Sequence, residues 1–406
     1  MSTSSDGDSH DEPQRLRSAR TFVIAARTNR NLNIASIVVP VLAVVIGETQ
    51  LPDALVFAVN LAGASFLVRW IVQSVEALST STGRLFGELL KGTLGHSVEL
   101  LIGINAVFLE RPHLSRAIML GSIICNLLLV LGSSLFYAGY DKNRLRFDRT
   151  LTTILSSIMM VVFIILIIPT AMEALSLHHT KATGNTIVTQ RISAIILVGL
   201  LLTYLLFRLR THVDIFAGTP FHNADQEDAS SSTMTPQLPH PIVGRRRAVL
   251  TLLVASICML GCTVNLVQTI PSTAKLLGTS QAFLGVTLIP VAGNFTKYRR
   301  VVLGSRSNAE VERGIRAVIH SVLRITMIIA PLLVLIGWIG NQPLVLRFDQ
   351  FEATTLLLSI VVMTYLIADG CSNYFEGLML IGTYAITAFA FYVRPEPHDN
   401  AASMRS

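Results

Sequence analysis

A chain of 406 residues, 51% hydrophobic and only 14% charged, with a mean hydropathy of +0.58, is too apolar for an ordinary soluble fold. Soluble multidomain arrangements are therefore excluded. The formal net charge of +7 is spread over short connections between apolar runs, so it reads as membrane topology and gives no nucleic-acid surface. Residues 1–32 are rich in Ser, Asp and Arg and lack an apolar core. They read as a disordered cytosolic tail, and a cleaved secretory signal is not expected there.

Apolar spans of membrane-crossing length follow at 33–47, 53–75, 85–109, 114–139, 149–172 and 191–209. The polar stretch 211–246, with its acids, Ser/Thr run, prolines and the Arg245–Arg246–Arg247 triplet, is predicted to be an unstructured cytosolic linker. Five more spans are predicted at 248–269, 280–300, 314–340, 352–369 and 374–393, before a short tail at 394–406. Lys and Arg in alternate short loops put the N-terminal tail, the 142–149 loop, the linker and the 299–306 stretch in the cytosol. The expected fold is thus all-α and polytopic, with about eleven transmembrane helices. One leading helix precedes two five-helix halves (33–210 with the leading helix, and 247–393), which enter the bilayer in opposite directions as inverted repeats.

Polar residues interrupt corresponding spans of the two halves. The first half has Gly95-His96-Ser97-Val98-Glu99, followed in the next span by Gly121-Ser122-Ile123-Ile124-Cys125-Asn126. The second half has Gly293-Asn294-Phe295-Thr296-Lys297, followed at a similar distance by His320-Ser321-Val322-Leu323-Arg324. Charge at membrane depth costs about 2.5–3.5 kcal/mol even on insertion scales, so such residues point to an ion site near the midplane.

The four cysteines, Cys125, Cys258, Cys262 and Cys371, lie in or beside apolar spans without zinc-site spacing and read as buried thiols. No nucleophile–base pair or HExxH pattern suggests an enzyme. The symmetric ring that a channel filter needs is missing too.

The stretches GTLGHSVELLIGINAVFLE and LGSIICNLLLVLGSSLFYAGY resemble the first repeat of the calcium/proton exchanger family. FLGVTLIPVAGN, APLLVLIGW, FDQFE and DGCSNYFEG resemble its second repeat, so the likeness covers roughly 35–393. The resemblance implies an antiporter that moves cytosolic calcium into an acidic compartment such as a vacuole in exchange for protons. It implies no cofactor. It also implies an ion-binding and translocation set of Gly95, His96, Glu99, Ser122, Cys125, Asn126, Gly293 and Asn294, with Glu99 as the metal-binding carboxylate.

The chain departs from that pattern at four positions. Lys297 stands where the second glutamate is expected, Tyr298 replaces a histidine, His96 replaces an asparagine and Arg324 replaces a glutamine. Two readings stay open. Either Lys297 and Arg324 neutralise the site and weaken cation binding, or Lys297 reaches toward the interface and Arg324 pairs elsewhere. His96 and His320 read as hydrogen-bonded core histidines before they read as metal ligands. Asp369, Asn373 and Glu376 are expected at a turn that caps a helix or guides ions, and Glu352 is expected to be structural. The functional alternative is a non-transporting family member that regulates an active exchanger. Oligomeric state is not legible.

Overall fold

The computed structural model describes residues 38–47, 51–140, 144–174, 179–211, 245–304, 308–340 and 348–394, with side chains left out at 173–186, 296–297 and 308–309. The predicted tails and central linker fall almost wholly outside these residues. Long apolar runs become helices because hydrocarbon offers no partner to backbone N–H and C=O groups, which must bond within their own segment.

In chain order the helices are α1 (38–46), α2 (Asp53–Ser79), α3 (Arg84–Thr93), α4 (Ser97–Phe108) and α5 (Pro112–Gly139). Next come α6 (Arg149–Ala174), α7 (His179–Leu206) and α8 (Arg245–Leu277). In α9, a turn at Gln281–Phe283 and a π-turn at Leu284–Leu288 lead into Ile289–Gly304. A π-turn at Ile325–Ile329 interrupts α10 between Asn308–Arg324 and Ala330–Ile339, much as one at Cys125–Val130 interrupts α5. The chain closes with α11 (Gln350–Ile367) and α12 (Tyr374–Val393).

Among the described residues, eight helices are long and apolar enough to cross a membrane, and they match eight of the eleven predicted spans. The remaining three predicted spans fall on α1, on the broken pair α3–α4 and on α9, whose apolar part is the shorter Gln281–Phe295. The predicted helix at 85–109 is corrected: a 3-10 turn at Leu94–His96 splits it.

Contacts at the helix ends fall into two sets that alternate along the chain, as threading back and forth through a bilayer requires. One set joins Arg300 to Glu76 (3.5 Å) and the Asp148 amide to the Glu312 carboxylate (3.2 Å). The same set pairs strands β1 (Leu145–Arg146) and β2 (Cys371–Ser372) antiparallel, with Leu145 opposite Ser372. The other set joins Arg111 to the Val267 carbonyl (2.8 Å), Ser280 to the Phe391 carbonyl (3.1 Å) and the Phe348 amide to Thr170 (3.1 Å). Thus α2 and α8, which pack closely on each other, run in opposite directions.

Asn373 caps α12 by accepting from the Glu376 amide (2.9 Å), and Asp349 with Glu352 forms a capping box at the start of α11. Glu352 therefore has a structural task, as its sequence position suggested.

Two apolar clusters build the core. One joins most of α5 with α6, α7, α10, α11 and α12, and the other joins α1, α2 and α8 with Leu114 and Ile118 of α5. Helix α4 belongs to both, giving Leu100 and Val107 to the first and Val98, Ile102 and Ala106 to the second. α9 is divided in the same way, with Val286 in the first and Leu284 and Ile289 in the second. α4, α5 and α9 therefore lie on the seam between the clusters. Across that seam α5 and α9 approach so closely that a Cβ on Gly121 would fall 2.2 Å from the Val286 carbonyl oxygen.

Candidate ion-binding site

His96 leaves the helical region, with φ −117° and ψ 41°, and the chain restarts as α4 at Ser97. That break creates a new helix N-terminus within the bundle and puts Glu99 in its first turn, where unbonded N–H groups favour negative charge. Glu99 is only 4% exposed. Its Oε1 accepts a 3.1 Å hydrogen bond from Nδ2 of Asn294 on α9, and the same amide donates to the Pro290 carbonyl at 3.1 Å. The polar interruptions of the two halves therefore meet at Glu99 and Asn294.

His96 makes the second contact between halves. Its Nε2 lies 3.0 Å from the Ser321 hydroxyl of α10, in keeping with a hydrogen-bonded histidine. Gly293 packs against Val98, with only 3.1 Å between its built Cβ and Val98 Cγ1, whereas Gly95 borders open space.

On α5, Asn126 donates to the Ser122 carbonyl (2.6 Å), and Cys125 is fully buried at the π-turn. The Ser122 and Ser97 hydroxyls are buried without a hydrogen-bond partner among the described residues. Buried hydroxyls of this kind call for a water or an ion. Hydroxyl and carboxylate oxygens such as these are of the hard type that calcium prefers. Among the described residues no three His, Cys, Asp or Glu side chains gather into a metal cage.

Lys297 follows Asn294 by three residues in α9, but its side chain lies outside the described residues. Tyr298, in the adjoining position, pairs its hydroxyl with that of Ser133 on α5 (2.7 Å).

The sequence leaves two readings open for Arg324, as a positive charge neutralising the site or as a group paired elsewhere, and the contact it makes is with α3: its Nη2 is ion-paired with Glu88 Oε2 at 3.1 Å. Arg208, just beyond α7, holds the same oxygen at 3.2 Å. His320 Nδ1 sits 3.2 Å from the Tyr204 hydroxyl beside them, and a cavity of about 20 Å³ lies among these five side chains. Sequence reasoning did not single out Glu88, Arg208 or Tyr204. The available signal was an acid, Glu88, inside a predicted span.

The family profile described as "Sodium/calcium exchanger protein" matches residues 53–210 and 247–393. The chain belongs to this family. Its members are transporters, not enzymes. This exchanger is 27% identical over 342 residues to the vacuolar calcium ion transporter of Schizosaccharomyces pombe, covering 84% of this chain and 80% of that one. It is 28% identical over 339 residues to the Ca(2+)/H(+) antiporter of Synechocystis, covering 81% and 88%. Its fold is similar to that of native YfkE, with TM-score 0.72 at 24% identity, covering 89% of this exchanger and all of YfkE. The fold class expected from the sequence, a polytopic helical membrane protein, is that of this relative.

Proposed function

We propose that this exchanger carries a divalent cation, calcium foremost, from the cytosol into an acidic compartment such as a vacuole in exchange for protons, with its N-terminus cytosolic. The observation that carries the reading is the buried Glu99 carboxylate, held by Asn294 of the opposite half. An ionised Glu99 attracts a cation, and a protonated one releases it, so competition between metal and proton couples the two flows. The family relatives named for calcium and proton exchange support the choice of ions.

The binding is weak for a calcium site. Helix α9 contains no Asp or Glu, and Lys297 stands one turn beyond Asn294. One carboxylate therefore meets two cationic charges, and calcium affinity falls as the count of charged ligands falls. Lys297→Glu should accordingly raise proton-coupled calcium uptake several-fold. Uptake no better than that of the unaltered chain would remove Lys297 from the site.

The decisive experiment is uptake of radioactive calcium into vesicles holding only this protein, acidified inside, with and without the proton gradient. Uptake that needs both protein and gradient supports antiport. Its absence would leave the regulator reading in place.

A further inference from the structure

Arg324 has a choice of neighbours. A long helical side chain covers the turn N-terminal to itself, and for Arg324 that turn contains His320 and Ser321. Ser321 is the residue that His96 touches at the ion site. The Arg324 stem runs beside Gly92, whose built Cβ would lie 3.8 Å from Arg324 Cγ. Gly92 stands four residues after Glu88 and four before His96, about one helical turn, or ~6 Å, from each. The guanidinium thus pivots from a point midway between Glu88 and the ion site, and in this structure it lies on Glu88.

We infer that Glu88 is the holding counter-ion of Arg324, and that its task is to keep a fixed positive charge away from the cation bound at Glu99. Arg208 shares the Glu88 carboxylate, so the holding point is tied to the end of α7 as well as to Arg324. Glu88 and Arg208 are about one-tenth exposed and Arg324 29%, so Arg324 is the most exposed of the three. Glu88 is a positioning residue: it acts on transport through Arg324 and touches no cation. The inference rests on the antiport reading above.

Initial rates of radioactive calcium uptake into acidified proteoliposomes, read against calcium concentration, test it. Glu88→Gln should raise KM about tenfold or more with kcat little changed, because the released guanidinium then repels the cation. Glu88→Asp, which keeps the charge, should hold KM near that of the unaltered chain. Glu88→Gln with Arg324→Gln should return KM to within about twofold of Arg324→Gln alone, whereas Glu88→Gln with Arg208→Gln should not recover. If the single Glu88→Gln protein does not fold, the double variant and Arg324→Gln alone still decide. A KM raised in the double variant over Arg324→Gln would mean that Glu88 acts on the cation directly, and the inference falls. It falls too if Glu88→Gln folds and leaves KM unchanged. An unaltered protein with no gradient-driven uptake would instead overturn the antiport reading.

Discussion

Glu99→Gln should abolish gradient-driven calcium uptake while leaving the protein folded. Gln keeps the size of Glu and still offers an oxygen to the Asn294 amide, so the 3.1 Å bond between the halves survives. What it removes is the only acidic side chain of α4, and with it the group proposed above to alternate between metal and proton. At an effective dielectric constant of about 20, one unit charge 4 Å from another is worth ~4 kcal/mol, and a divalent ion doubles that. A loss of at least about 100-fold in uptake rate, or ~2.7 kcal/mol, is a conservative expectation. Uptake rates measured beside thermal unfolding in detergent separate the two effects. An unchanged Tm with residual uptake above a tenth would place the ion elsewhere.

The second large effect concerns Gly121. A methyl group there falls 2.2 Å from the Val286 oxygen and 2.5 Å from the Val286 Cα, both backbone atoms that cannot swing aside. Helices without a hydrophobic force between them depend on such small residues for close packing. Gly121→Ala should therefore push α5 and α9 apart and cost at least the ~1–3 kcal/mol typical of overpacking. It should lower Tm and yield, and transport with them, since Ser122 and Asn294 ride on the separated helices. Gly199→Ala is the control. Nothing lies within 4 Å of its built Cβ, and alanine favours a helix over glycine by up to ~1 kcal/mol. Equal Tm for the two variants would contradict the close approach.

The sequence makes the helices legible because lipid imposes one rule on every span: satisfy the backbone internally and face hydrocarbon with apolar atoms. For the same reason Glu99 and Asn294 stand out, as polar residues at that depth are costly. The breaks at Leu94–His96, Cys125–Val130 and Ile325–Ile329 were hidden, since a one-turn change of hydrogen-bond partner leaves composition unaltered. The partner of Arg324 was hidden as well. Whether this half-buried arginine faces the ion site or a carboxylate on α3 depends on how α3, α7 and α10 cross, and spacing along one chain does not encode that crossing. Of the two open readings for Arg324, pairing elsewhere is the one that the Glu88 contact realises.

The short strand pair has a consequence for synthesis. Leu145 and Phe147 are buried, and the Phe147 amide reaches the Gly370 carbonyl (3.0 Å), but their partners lie between α11 and α12. A ribosome delivers the first strand before most of the second half exists. Contacts so far apart in sequence form late, because a long loop must close before they reward it. Until Cys371 and Ser372 have emerged, the turn before α6 presents an uncovered strand edge. A nascent chain stalled ahead of Cys371 is thus the form most exposed to quality control, and the last two helices seal it.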